Sequence, residues 1–231
     1  MKIIINADDY GMHKDINDGI IKAYNDGVLT STTVMMNYCD ESELLRLRKE
    51  AKGIGIGIHF TLTQGFPLTD VSFKRIDGKF DRVKLYNGEF CDQEIKNELR
   101  SQLNKMFAFG VIPTHIDSHH HIHLRPRILK IIETLAKEHN LLIRDHNKQI
   151  KFIGSFYHKN VTYQHLKEIL SINVNQTIEV MCHPGFAGAS LFKETSYNGF
   201  RAAELSILIS DEIKNMFNTL GYVKGTYLDF I

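Results

Sequence analysis

Five histidines fall within nine positions of PTHIDSHHHIHL (residues 113–124): His115, His119, His120, His121 and His123, out of twelve in the chain. Imidazole is an indifferent core filler, but near neutral pH its two nitrogens serve as metal ligand, general acid or general base. Further reactive groups stand at the adjacent carboxylates Asp8 and Asp9 in NADDYG, at His59 in GIHFTLT and at His183 in MCHPG. Each has an ordinary reading alone. An aspartate pair after a strand makes a turn or caps a helix, a single histidine in an apolar run is a satisfied core group, and HHHIH is a solvated loop. Together, two carboxylates and several imidazoles supply what a divalent-metal site with acid–base partners requires.

Each motif ends a short apolar run, and the runs alternate with amphipathic stretches. Strand-like segments fall at 2–6, 31–37, 55–62, 114–118, 141–145, 178–183 and 225–230. Helix-like segments fall at 15–26, 41–51, 92–109, 126–139, 163–172 and 200–219. Such alternation predicts an α/β protein with a mainly parallel sheet, and this number of strands fits a barrel-like (β/α) arrangement. In such folds the loops after the strands surround the ligand site, so the four motifs converge there.

Alternation also constrains the side chains. An extended run puts His115, Asp117, His119, His121 and His123 on one face, more than one ion can use. The surplus then orients ligands, contacts substrate or carries protons. By the same rule Asp8 and Asp9 face different surroundings unless the strand end bends. A mixed Asp/His set accepts Zn²⁺, Mn²⁺, Fe²⁺, Co²⁺ or Ni²⁺, and less typically Mg²⁺.

The remaining composition narrows the setting. A formal charge of +1, from 28 basic and 27 acidic residues, suggests neither nucleic acid nor a membrane surface as partner. The cysteines Cys39, Cys91 and Cys182 form no C-x-x-C pair, and reduced thiols fit a cytoplasmic protein. MKIIINADDYG meets acidic residues too soon for a signal peptide, and no apolar run approaches the roughly 18 residues of a membrane span. Residues 1–231 read as one domain. Within it, 63–93 lacks a helical period and reads as an inserted loop or hairpin element, a lid over one end of the sheet with no metal ligand of its own.

The motifs NADDYGMHKDINDGI, GVLTSTTVMMN, GIGIHFTLTQGFPLT, PTHIDSHHHIHLRP and EVMCHPG, in this order, resemble the YdjC-like carbohydrate deacetylases, the family of the chitooligosaccharide deacetylases. A weaker match, YNGFRAAELSIL, follows at 197–208. The resemblance implies a single-domain distorted (β/α) barrel related to polysaccharide deacetylases. It also implies metal-dependent removal of acetyl from an N-acetylated mono- or oligosaccharide, and is compatible with a homodimer. Mg²⁺ is the metal it favours, with the Zn²⁺ of related deacetylases or another transition metal as the alternative. Matched motif by motif, Asp9, His59 and His119 are the metal ligands and Asp8 is the general base. His123, at H-x₃-H spacing from His119, is a second-choice ligand.

For an acetamide hydrolase, His183 is the group to protonate the departing amine, and Asp117 orients an imidazole. His121, His123 and Arg125 then lie behind the ligands or touch substrate, and Phe66, Phe73, Phe80 and Tyr86 of the insert face a sugar. Glycoside or phosphate-ester hydrolysis and non-catalytic carbohydrate or metal binding stay open. Adjacent aspartates suit a glycosidase poorly, because its two carboxyl groups flank a bond from about 5 Å apart.

Overall fold

The computed structural model describes residues 1–231. Its central strand, β1 (Lys2–Tyr10), is buried almost throughout, as a β-branched run covered on both faces should be. On one side follow β2 (Ser31–Val34), β3 (Gly55–Phe60), β4 (His115–Ser118) and β5 (Leu142–Ile143). On the other side β6 (Lys151–Ile153) lies outside β7 (Ile178–Cys182), and every pairing is parallel. A short β8 (Val223–Lys224) pairs with Lys2 and Ile3, below the point where β2 joins β1 at Asn6. β5 and β6 end the strand order, so the sheet is a distorted, incompletely closed (β/α) barrel.

The helices start where polar caps meet apolar stripes. Asp15 N–H donates to His13 Nδ1 at 3.1 Å to open α1 (Lys14–Asp26), whose Ile16, Ile20 and Ala23 are buried. The Asp40 carboxylate opens α2 (Glu41–Glu50), and Asp81 opens the short α3 (Arg82–Asn87) inside the insert. α4 (Asp92–Ala108), α5 (Pro126–His139) and α6 (Tyr163–Ile172) keep their expected ranges to within one residue. The single helix expected at 200–219 is two, α7 (Gly199–Leu208) and α8 (Asp211–Thr219). Ser210 leaves helical geometry between them and accepts the Ile213 N–H as a new cap. The expected strand at 225–230 is a 3-10 turn at Tyr227–Phe230, because Thr226 and Asp229 form a capping box there. No helix is long and apolar enough to cross a membrane.

The insert is built rather than loose. Lys74 and Phe80 form an antiparallel bridge, and the buried rings of Phe73 and Phe80 stack at 5.7 Å. Its root is clamped by Glu98 of α4, whose carboxylate accepts the Leu68 and Thr69 N–H groups at 3.0 and 2.8 Å.

Strand alternation decides what the barrel holds. Ile3, Ile5, Ala7, Ile58 and Val180 join one apolar cluster of 54 buried residues that runs through the helices. Their strand neighbours Asn6, Asp8, His59, Asp117 and Glu179 point the other way and are equally buried. Apart from a small apolar cluster of Ile4, Ile150 and Tyr227, the interior is therefore polar, unlike a barrel filled by branched apolar side chains. His115 lies in it, its ring stacked 3.8 Å from that of Tyr227. A Cβ on Gly57 would sit 2.4 Å from His115 Cε1, so this strand glycine is the space the ring occupies. Gly57→Ala should cost about 1–3 kcal/mol of stability in denaturant unfolding, and much less in a His115→Ala background. Equal losses in both backgrounds would show that ring and glycine are not coupled.

Candidate functional site

β1 and β2 shift register between Ala7 and Tyr10, and Asp9 adopts a left-handed φ of 74°. The strand end thus bends, and Asp8 and Asp9 line the same cavity of about 430 Å³ rather than opposite faces. The histidine cluster departs from alternation too. β4 stops at Ser118, and a 3-10 turn over His119–Leu124 carries His120 and His121 at φ 57° and 52°. His119, His120 and His121 consequently all line the cavity, together with His59 and His183. His123 does not: the turn folds it back so that its Nδ1 lies 2.6 Å from Ser118 Oγ, buried outside the cavity lining.

Asp9, His59 and His119 each present one donor atom, all within 4.8 Å of one another. Asp9 Oδ1 is 3.0 Å from His119 Nδ1 and 3.4 Å from His59 Nε2. Ligand atoms about 2.0–2.1 Å from one ion stand roughly 2.8–3.4 Å apart at octahedral to tetrahedral angles, so this donor group fits a divalent metal. Behind it, His59 Nδ1–H donates to Asp117 Oδ1 at 2.7 Å, and the Thr33 hydroxyl donates to Asp117 Oδ2 at 2.9 Å. A carboxylate behind an imidazole fixes its tautomer and its orientation. Asp8, His59 and Asp117 form a second convergent group. There a guanidinium already occupies the carboxylates: Arg144 meets both oxygens of Asp8 at 2.7 Å and Asp117 at 2.7 Å.

The charges are sorted by their partners. Burial opposes ionisation of Asp8, yet the Arg144 guanidinium overrides it and holds the carboxyl well below the usual range. Asp9 is also buried, and Arg201 at 2.5 Å holds it low. Glu179 and Glu204 go the other way: burial pushes them up to about 7 and about 8. Glu204 accepts the Tyr197 hydroxyl at 2.5 Å and the backbone N–H of His183. Burial lowers the His183 imidazole to about 4, so it is neutral at rest.

Two expectations from the sequence fail on placement. Arg125 is exposed and lies 4.7 Å over the Tyr86 ring, away from the cavity, since the turn ends by leading the chain outward into α5. Phe73 and Phe80 fill the insert's own core and face no ligand. Conversely, Arg144, Arg201, Glu204, Gln64, Tyr157 and Tyr197 escaped notice. Arg144 stands beside Asp145 at the end of the apolar run LLIRD, and Arg201 and Glu204 stand one helical turn apart in YNGFRAAELSIL.

The parallel, incompletely closed barrel with aspartate and histidine donors at its strand ends has solved counterparts of the same fold. The chain matches a family 4 carbohydrate esterase from Streptomyces lividans with a TM-score of 0.60, over 97% of this chain and 91% of that one. Identity there is 10%, so the likeness is one of fold. More specifically, the chain belongs to the YdjC-like family, whose model, described as YdjC-like protein, matches residues 2–219. It is 37% identical to a carbohydrate deacetylase of Clostridium beijerinckii, over 94% of this chain and 95% of the relative. It is 39% identical to a chitooligosaccharide deacetylase of Yersinia enterocolitica, over 98% of each. A solved structure from Enterococcus faecalis, provisionally named a cellobiose-phosphate cleavage protein, matches with a TM-score of 0.92 and 28% identity, over 99% and 98% of the two chains.

Glu204 makes a prediction for stability. Folded, it keeps its proton up to about pH 8, whereas the ordinary glutamate value is 4.5. The native state then binds more protons within that window, and stability falls as pH rises through it. Glu204→Gln should flatten this part of the decline in denaturant midpoints between about pH 5 and 8. An unchanged slope would mean that Glu204 is ionised in the folded protein.

Proposed function

We propose that the chain is a divalent-metal-dependent hydrolase that removes acetyl from N-acetylated sugars of the chitooligosaccharide type. The observation that carries this reading is the Asp9–His59–His119 donor group facing one cavity with Asp8 and His183. Relatives named as carbohydrate and chitooligosaccharide deacetylases support the substrate class. Asp9, His59 and His119 would hold the ion, which when bound polarises the acetyl carbonyl and makes water more acidic. Two imidazole nitrogens and one carboxylate weigh toward a transition-metal ion such as Zn²⁺, against the Mg²⁺ that the family resemblance implies.

Asp8 accepts the proton of the attacking water as the new C–O bond forms. Arg144 keeps Asp8 ionised and aimed, at some loss of basicity. The His183 imidazole, neutral at rest, relays a proton to the nitrogen as the C–N bond breaks, and the water's own proton, taken first by Asp8, supplies it. Acetate and a free amino sugar leave. Tyr157 and Tyr197, stacked at 4.5 Å in the cavity wall, offer an aromatic surface to a sugar ring. A glycosidase fits less well: with both aspartates held ionised by arginines, neither serves as the general acid that reaction needs.

Acetate release from N-acetylglucosamine oligomers tests the reading. Activity should vanish in excess chelator and return with a divalent ion. Asp9→Asn should lose metal and activity together. Asp8→Asn should keep the metal and slow turnover by on the order of 10²–10⁴-fold. Full turnover by metal-free protein would sink the metal reading, and exchanged phenotypes would exchange the two roles.

A further inference from the structure

The two imidazoles beside Asp9 present opposite nitrogens to it, Nε2 of His59 and Nδ1 of His119. For His59 the choice is made from behind by Asp117. For His119 it is made by Gln64, whose amide oxygen accepts Nε2–H at 2.9 Å. Gln64 belongs to neither a strand nor a helix; it is among the first residues of the 63–93 insert and lines the cavity.

Its position is fixed by contacts on both sides. The Asn37 side-chain amide donates to the Gln64 carbonyl at 3.0 Å. Next in the chain, Gly65 takes a φ of +75°, and a Cβ there would lie 2.6 Å from the Tyr38 ring. The Gly65 carbonyl in turn accepts the Phe80 N–H at 2.9 Å, tying this turn to the bridge that Phe80 forms with Lys74. The backbone so held fixes the root from which the Gln64 side chain reaches His119.

We propose that Gln64 is a positioning residue for the metal centre. It holds His119 in the tautomer whose Nδ1 lone pair faces Asp9, so the insert shapes metal affinity although it carries no ligand. The inference rests on the metal reading above. It also adds to the reading of the insert as a lid with no metal ligand of its own, since its root reaches His119 directly.

The test compares metal-stripped wild type, Gln64→Leu and Gln64→Glu by calorimetric titration with Zn²⁺, with denaturant unfolding of each apo protein as the control for folding. Leucine removes the acceptor at similar size, and affinity should fall on the order of 10–100-fold. Glutamate restores an acceptor, and affinity should return to the wild-type value or exceed it. Wild-type affinity in Gln64→Leu overturns the proposal, as does a Gln64→Glu protein no tighter than the leucine variant. Wild-type protein that takes up no Zn²⁺ overturns the metal reading itself, an outcome distinct from equal binding by all three.

Discussion

Arg144 carries a full positive charge where no water reaches it, and Asp8, Asp117 and Glu179 meet it there at 2.7–2.8 Å from β1, β4 and β7. Burying any one of these ions alone costs several kcal/mol, and mutual attraction offsets that only when the geometry satisfies the set. The interior is thus one electrostatic unit spanning three strands. Burial lifts Glu179 toward neutrality, which brings the carboxylate charge closer to what one guanidinium can balance. Asp117 is shared between Arg144 and His59, so the position of a candidate metal ligand descends from the same buried cation. Glu179 also accepts the Tyr227 hydroxyl, which ties the C-terminal turn to the unit.

At the cavity rim regular geometry gives way. Asp9, His120 and His121 are all left-handed non-glycine residues, a conformation that costs on the order of 1–3 kcal/mol each unless its surroundings over-determine it. They do here. The Asp9 carbonyl accepts the Met12 N–H at 3.2 Å while Arg201 grips its side chain, and His120 Nδ1 lies 2.9 Å from the Thr63 hydroxyl. Strict alternation would have sent one aspartate and one histidine out of the cavity. The strain is what keeps them in it.

The same contrast explains what could be read in advance. Strands 2–6, 55–62 and 178–183 and helices such as 126–139 were legible because burial on a fixed period writes itself into residue type. The ordered motifs located Asp8, Asp9, His59, His119 and His183 near one another. The split at Ser210 and the turn at Tyr227–Phe230 were not legible as periodicity, because side-chain caps set them. Nor was the fate of His123, whose H-x₃-H spacing suggests a shared ligand role until two left-handed residues reverse the chain. Arg144 and Arg201 escaped for a further reason. A guanidinium paired across 136 or 192 residues of sequence carries no local sign of its partner.

Those two arginines also separate neighbours of identical chemistry. A carboxylate offers about four lone-pair sites to hydrogen bonds or ligands. Asp8 spends two on Arg144, one on each oxygen, and Oδ1 accepts the Asn6 amide as well at 3.0 Å. One site is left, on Oδ2: room for a single proton, and a poor beginning for a metal bond beside a guanidinium. Asp9 gives only Oδ2 to Arg201, and its Oδ1 faces the two imidazole nitrogens. Desolvation acts on both aspartates alike, so it does not distinguish them. Their different capacities follow from which oxygens an arginine takes, and the bulge after Ala7 is what lets each aspartate meet a different one.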